Sequence, residues 1–215
     1  DLVRQMRASA LVMGPVLARY GKVRVSLPGG CAIGARPINI HLDGFEKLGA
    51  KIVLEEGYVN LEAKELNGTK ILLDFPSVGA TENLIMTAVL AKGRTILENV
   101  AKEPEIEDLC KFLIKMGAKI GGVCSDSLVI DGVEKLTNVR YKIMSDRIEA
   151  GTFMIAAAIT KGDVLIKNVV PEHLDIVISK MQESGVKIVK EGNNSLRVSC
   201  GKDDVLKPVS IGTEP

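Results

Sequence analysis

"IEDLCKFLIKMGAKIGGV", residues 106–123, decides the fold. It reads as an amphipathic helix that stops at Gly117 and turns directly into a strand. The same plan occurs twice more, in "INIHLDGFEKLGAKIVLEE" (38–56) and "LDIVISKMQESGVKIVKEG" (174–192). The stop glycines Gly49, Gly117 and Gly185 are 68 residues apart both times. A fixed period of this size marks a repeat architecture. Each of these helices is preceded by another helix–Gly–strand unit: "MGPVLARYGKVRVSL" (13–27), "MTAVLAKGRTILENV" (86–100) and "IAAAITKGDVLIKNV" (155–169). Each repeat is therefore β–α–β–α–β–β in some phase, which makes an α/β protein. The helices "ENLIMTAVLAKG" and "FMIAAAITKG" are nearly apolar all round, which predicts buried helices with sheets outside them.

The spacing inside the repeats exposes an insertion. From first to second glycine the distances are 28, 24 and 23 residues (Gly21 to Gly49, Gly93 to Gly117, Gly162 to Gly185). The first repeat carries four or five extra residues, and they fall on "PGGCAIGARP", residues 28–37. A loop grafted onto a repeated scaffold tends to carry function. Cys31 sits there between glycines, with Arg36 nearby. Backbone N–H groups and a permanent cation acidify a thiol and suit it to act as nucleophile or proton donor. The bland alternative is a spare thiol in a turn. Cys110 reads as a core residue of its helix, and Cys124 and Cys200 as structural thiols in strands.

A second candidate is "FPSVGATENLIMTAVL" (75–90), where Ser77, Val78 and Gly79 precede a helix. Orphan N–H groups at a helix start suit a phosphate, although an ordinary helix start reads the same way. Arg7, in "QMRASALVMG", is an edge charge or an anion binder, and spacing leaves both open. His41 reads as a satisfied partner near the loop rather than a base. Asp146, Arg147 and Glu149 in "SDRIEAGTF" read as a helix-capping cluster.

Composition narrows the function classes. The chain has 215 residues, 46% hydrophobic, with 28 basic and 27 acidic residues and 3% aromatics. There is no basic run and little to stack on bases, so nucleic acid is not an expected partner. No apolar stretch reaches membrane-spanning length free of charge. The four cysteines form no CxxC pair, so no metal site is expected and the compartment reads as cytoplasmic. No cofactor is expected. The chain begins in mid-helix and stops after a strand-like run, which reads as a piece of a longer polypeptide.

The loop "PGGCAIGARP" resembles the catalytic loop of the UDP-N-acetylglucosamine enolpyruvyl transferase family, the 1-carboxyvinyltransferases. The likeness extends along the chain through "MRAS", "ARYG", "RPINIHLDGFEKLGAKI", "EEGYV", "SVGAT", "AKEPEIEDL", "FLIKMGAKI" and "DRIEAGTFMIAAA". It implies two domains, each an inside-out α/β barrel of three βαβαββ repeats. Residues 1–145 would hold two repeats of the uridine-nucleotide side, and residues 146–215 one repeat of the second domain. The implied reaction moves the enolpyruvyl group of phosphoenolpyruvate to the 3′-hydroxyl of UDP-N-acetylglucosamine, the first committed step of peptidoglycan synthesis. Cys31 would be the general acid, able to form a covalent adduct, and the target of fosfomycin. Arg36, Pro37, Ile38, Asn39 and Ile40 would bind the uridine. Ser77, Val78 and Gly79 would hold the diphosphate, and Arg7 substrate anions. Three departures stand out: Asn39 replaces a common Asp, Phe75 a basic residue of some members, and Leu11 a Trp of others. The implied base and several cations lie outside residues 1–215, so the piece alone is expected to be inactive. The rivals are the shikimate-type transferase, which shares the architecture without the cysteine loop, and a binding scaffold with Cys31 as a redox sensor.

Overall fold

The structure is a computed structural model that describes residues 6–27 and 38–212, without the side chain of Arg7. Contacts divide the described residues into two compact units, one ending at Lys142 and one starting at Ile143.

The first unit opens with a 3-10 helix (Arg7–Val12) that runs into α1 (Met13–Tyr20). Then come β1 (Lys22–Ser26), α2 (Asn39–Lys47), β2 (Lys51–Glu55), β3 (Tyr58–Glu62), β4 (Lys70–Leu72), α3 (Val78–Ala88), β5 (Arg94–Glu98), α4 (Pro104–Lys115), β6 (Lys119–Gly121) and β7 (Ser127–Asp131). The second unit holds α5 (Arg147–Ile159), β8 (Asp163–Lys167), a 3-10 turn (Pro171–Leu174), α6 (Asp175–Glu183), β9 (Lys187–Lys190) and β10 (Ser195–Ser199).

The repeat is plain in the sheets. Their strand orders are β1-β3-β2, β4-β5-β7-β6 and β8-β10-β9. In each, the last strand of the repeat inserts between the two before it, with antiparallel partners such as Lys22↔Glu62, Arg94↔Asp131 and Asp163↔Ser199. The middle repeat is a full β–α–β–α–β–β unit, with β4 added parallel to β5. Among the described residues no sheet closes on itself. Among the described residues no helix is long and apolar enough to cross a membrane.

The 68-residue spacing has a structural cause. Gly49, Gly117 and Gly185 take φ of 102°, 104° and 101°, which a side chain resists. The next N–H reaches back into the helix each time: Ala50 to the Phe45 carbonyl, Ala118 to Leu113 and Val186 to Met181, all at 3.0 Å. This is one helix stop, used three times to aim the following strand. The first-helix stops are less uniform. Gly21 and Gly93 have positive φ, but in the third repeat Lys161 takes the left-handed position (φ 55°) in place of Gly162.

Helix α3 is the axis of the first unit. Leu84, Ile85, Thr87 and Ala88 are buried on it together with Ala80, Thr81 and Asn83. Helices α1 and α2 close on it through glycines. A Cβ on Gly14 would lie 2.4 Å from the Asn83 carbonyl oxygen, and one on Gly44 2.4 Å from a Leu84 methyl. The expectation of a helix buried all round fails for α5. Ala150, Met154, Ala157 and Ala158 are buried, yet Ile148, Phe153, Ile155 and Ile159 are exposed. Within its unit α5 packs on β8, β10 and the 3-10 turn. Asp146 caps it as expected, accepting from the N–H groups of Ile148 (2.8 Å) and Glu149 (3.0 Å). Cys124 corrects the sequence reading. It lies exposed in the β6–β7 turn at φ 69°, not in a strand.

Candidate functional site

The chain enters α3 through Phe75-Pro76-Ser77. Ser77 is extended (φ −76°, ψ 119°) and caps the helix: its Oγ accepts from the Ala80 N–H at 3.4 Å and its carbonyl from the Thr81 N–H at 2.9 Å. The N–H groups of Val78 and Gly79 have no acceptor within the helix, as in any first helical turn. They stand at the positive end of the helix dipole, which favours an anion.

A cleft of about 360 Å³ opens in front of them. Ser77, Val78 and Gly79 line it directly. Ala8 and Leu11 of the first 3-10 helix form one wall, with Phe75 and Glu103 at other edges. Phe75 is exposed here, so an aromatic face replaces the cation that the resemblance places at this rim. Gly79 keeps the floor open. A Cβ there would come 3.5 Å from His41 Cε1 and 3.9 Å from Leu11 Cδ2.

His41, from the first turn of α2, is buried at the base of the cleft. Its Nδ1 lies 2.8 Å from Nδ2 of Asn83 on α3. Asn83 Nδ2 also donates to the Ala10 carbonyl at 2.8 Å, and its Oδ1 accepts from the Gly14 N–H at 2.9 Å. One buried amide thus joins the 3-10 helix, α1, α2 and α3 behind the site. The sequence signal for it was a lone Asn inside the apolar run "ENLIMTAVL", because a buried amide must find partners. Sequence reasoning passed over it, as it did Glu103.

One carboxyl beside the cleft is perturbed. Burial pushes Glu82 above the ordinary glutamate range, and the charges of Glu105 and Glu103 add to the effect.

The other sequence candidates divide as follows. Ile38 is buried at the N-cap of α2, while Asn39 is exposed and Ile40 half-buried in its first turn. Ile38–Ile40 are thereby on the same short segment as His41. Arg7 starts the first 3-10 helix. Cys31, Arg36 and Pro37 lie outside the described residues. A larger groove, about 610 Å³, lies over β1, β2 and β3. It shares no residue with the cleft; among the described residues it is lined by Lys22, Arg24, Lys51, Asn60, Glu62 and apolar neighbours, without a thiol or a histidine.

Comparison with known proteins extends this geometry. The sequence profile of the family described as EPSP synthase (3-phosphoshikimate 1-carboxyvinyltransferase) matches residues 1–214. The chain belongs to the EPSP synthase family. Within reach of that family, curated relatives are much closer than the family description alone implies. The chain is 54% identical over all 215 residues to the UDP-N-acetylglucosamine 1-carboxyvinyltransferase of Hydrogenovibrio crunogenus, covering 51% of it. It is 56% identical to proteins of that name from Caldanaerobacter subterraneus and Geotalea daltonii, again covering 51% of each. The chain spans about half the length of the curated relatives it matches. Among solved structures of the EPSP synthase family fold, the enolpyruvyl transferase NikO of Streptomyces tendae has a TM-score of 0.77 at 21% identity, over 97% of this chain and 50% of that one. The EPSP synthase of Acinetobacter baumannii gives 0.64 at 20% identity, over 95% and 48%. These likenesses identify the fold.

Proposed function

We propose that this chain forms the nucleotide-sugar side and the acid-bearing loop of an enolpyruvyl transferase acting in the cytoplasm. The reaction joins phosphoenolpyruvate to the 3′-hydroxyl of UDP-N-acetylglucosamine and releases phosphate. The observation that carries the reading is the cleft at the start of α3, where Ser77, Val78 and Gly79 offer a capped helix N-terminus as a diphosphate cradle. The relatives at 54–56% identity, all named for this acceptor, support the choice of nucleotide sugar.

The chemistry needs a proton on C3 of phosphoenolpyruvate, so that C2 becomes electrophilic and takes the sugar hydroxyl. The resulting ketal then expels phosphate and returns the C3 proton. Carbon accepts protons slowly, so a positioned acid contributes about 10²–10⁴-fold. Cys31 is that acid in this reading, and fosfomycin would alkylate it. Arg36 and Arg7 would balance substrate charge. Pro37, Ile38, Asn39 and Ile40 would run along the uridine, with exposed Asn39 offering a neutral amide. Residues 1–145 and 146–215 would belong to two different domains of the whole enzyme.

Calorimetry on the 215-residue chain tests the cradle. UDP-N-acetylglucosamine should bind, and Ser77→Ala together with Gly79→Val should weaken it. The shikimate-type reading has the family profile's own description behind it. Binding of shikimate 3-phosphate in place of the nucleotide sugar would favour it.

A further inference from the structure

The third repeat ends its first helix differently from the other two, and the difference sets a lysine against a thiol. In every repeat the residue near the end of the last strand donates its N–H to the carbonyl of the first stop glycine. Ala63 donates to Gly21 at 2.8 Å, Gly132 to Gly93 at 2.9 Å and Cys200 to Gly162 at 3.0 Å. The fold therefore holds residue 200 beside the end of α5 through its backbone. The first two repeats place a methyl group or a hydrogen there, and the third places a thiol. In the first two the glycine itself has positive φ, 71° and 82°, whereas in the third Lys161 takes φ 55° one residue earlier. A side chain resists that region. Two contacts of the Lys161 side chain offset the strain: Nζ donates to the Asp204 carbonyl at 2.6 Å and to Cys200 Sγ at 3.5 Å.

Cys200 is buried and Lys161 half-buried. Cys200 is the one cysteine in residues 143–214, so oxidised sulfur here has no thiol of its own unit to pair with. Burial also keeps bulky thiols in solution away from it. The nucleophile that remains is Lys161 Nζ, and reacting groups held at about 3–3.5 Å are in near-attack range. The Asp204 carbonyl holds one N–H and so keeps the nitrogen in place beside the sulfur.

We propose that Lys161 and Cys200 form a modification site, at which a peroxide joins the thiol and the amine in a direct sulfur–nitrogen bond, a sulfenamide. In the first step sulfur attacks one peroxide oxygen and the O–O bond breaks. The thiol is oxidised to a sulfenic acid, and hydrogen peroxide is reduced to water. Nζ loses one proton to solvent and attacks the sulfur. The N–S bond forms, the S–O bond breaks, and the oxygen leaves as water with a second proton from the nitrogen. In balance, one thiol, one ammonium group and one hydrogen peroxide give the link, two waters and a proton. The hydrogen left on the nitrogen can stay on the Asp204 carbonyl. A thiol that attacks the sulfur returns the amine, so the link is reversible. It spans 39 residues and staples the end of α5 to the end of β10.

Hydrogen peroxide treatment of the 215-residue chain, quenched with catalase and mapped by mass spectrometry without reductant, reads the site directly. The peptides carrying Lys161 and Cys200 should appear joined, lighter by two hydrogens than their sum, and should separate in dithiothreitol. Oxidation in urea should lower the yield on the order of tenfold or more, because the near-attack contact is gone. Lys161→Met should leave a Cys200 sulfenic acid that dimedone traps, on the order of tenfold more than in wild type. If that variant fails to fold, the wild-type map, native against urea, still decides. Five results would each overturn the proposal. Cys200 could pass to sulfinic or sulfonic acid with no linked peptide. It could stay unmodified at peroxide that oxidises exposed Cys124. The yield could be equal in urea, the link could run to Lys202, or it could be heavier by one oxygen, an N–O–S bridge.

Discussion

Gly14 lies directly beneath Asn83: its N–H donates to Oδ1 at 2.9 Å, and a Cβ in its place would stand 2.4 Å from the Asn83 carbonyl oxygen and 2.6 Å from Thr87 Oγ1. Those neighbours are α3 backbone and a hydroxyl that itself donates to the Asn83 carbonyl at 2.7 Å, so they have little room to give. Gly14→Ala should therefore push α1 off α3 and cost about 1–3 kcal/mol, the range for overpacking a filled core. Urea unfolding monitored by circular dichroism measures it. A variant as stable as wild type would mean the helix crossing is looser than this geometry.

Gly79 makes the opposite case. An added Cβ meets only ordinary van der Waals contacts, at 3.5 Å and beyond, and the residue lies inside α3. Ala there should stabilise the chain by about 0.5–1 kcal/mol through helix propensity. The same methyl enters the cleft between His41 and Leu11, so nucleotide-sugar affinity should fall. Paired melting and calorimetry runs decide: a variant that gains stability and keeps full affinity removes Gly79 from the binding surface.

The pH dependence of stability carries a signature of Glu82. Burial raises its carboxyl in the folded chain, with Glu105 and Glu103 adding to this, above the ordinary glutamate value of 4.5. Between that value and the raised one, the folded state holds the proton more tightly, so stability falls as pH rises through this window. The loss is complete above the folded value. Glu82→Gln should stabilise the chain at neutral pH, and the gain should vanish below about pH 4.5, where both states are protonated. Denaturant midpoints across the acid range test this, and a gain that persists at low pH would assign the effect to something other than ionisation.

Much of the fold was legible because the repeat is written in residues with few alternatives. Gly49, Gly117 and Gly185 hold φ near 100°, where only glycine is at ease, so their period survives in the sequence. The buried character of α3 was legible from its continuous apolar run. The same run misled for α5, since an apolar surface shows what a helix can bury but not what lies against it; Ile155 and Ile159 are exposed. Cys124 was misplaced because the turn at φ 69° interrupts a stretch with strand-like composition. At the site, Ser77–Gly79 could be found from a helix-start pattern. Asn83 could not be given a role, because its partners Ala10, Gly14 and His41 are 73, 69 and 42 residues away and two of them are backbone groups.

Thiol chemistry ranks the cysteines. Cys110 is buried and its thiol is pushed up to about 11, by burial first and then by Cys124 and Glu107. Cys124 is exposed, yet its thiol is also raised, by local desolvation and then by Glu107. Neither is a ready thiolate near neutral pH. Limiting iodoacetamide should label Cys31 first, Cys124 next, and Cys110 and Cys200 last. Peptide mapping that finds Cys124 or Cys110 ahead of Cys31 would contradict the assignment of the loop thiol.

The most direct measurement is phosphate release from phosphoenolpyruvate by the natural polypeptide that carries this chain, with UDP-N-acetylglucosamine or shikimate 3-phosphate as acceptor. Release should require the nucleotide sugar, and Cys31→Ala should lower it by about 10²-fold or more, as loss of a positioned acid does. Release supported by shikimate 3-phosphate alone, or an undiminished rate in Cys31→Ala, would contradict the account.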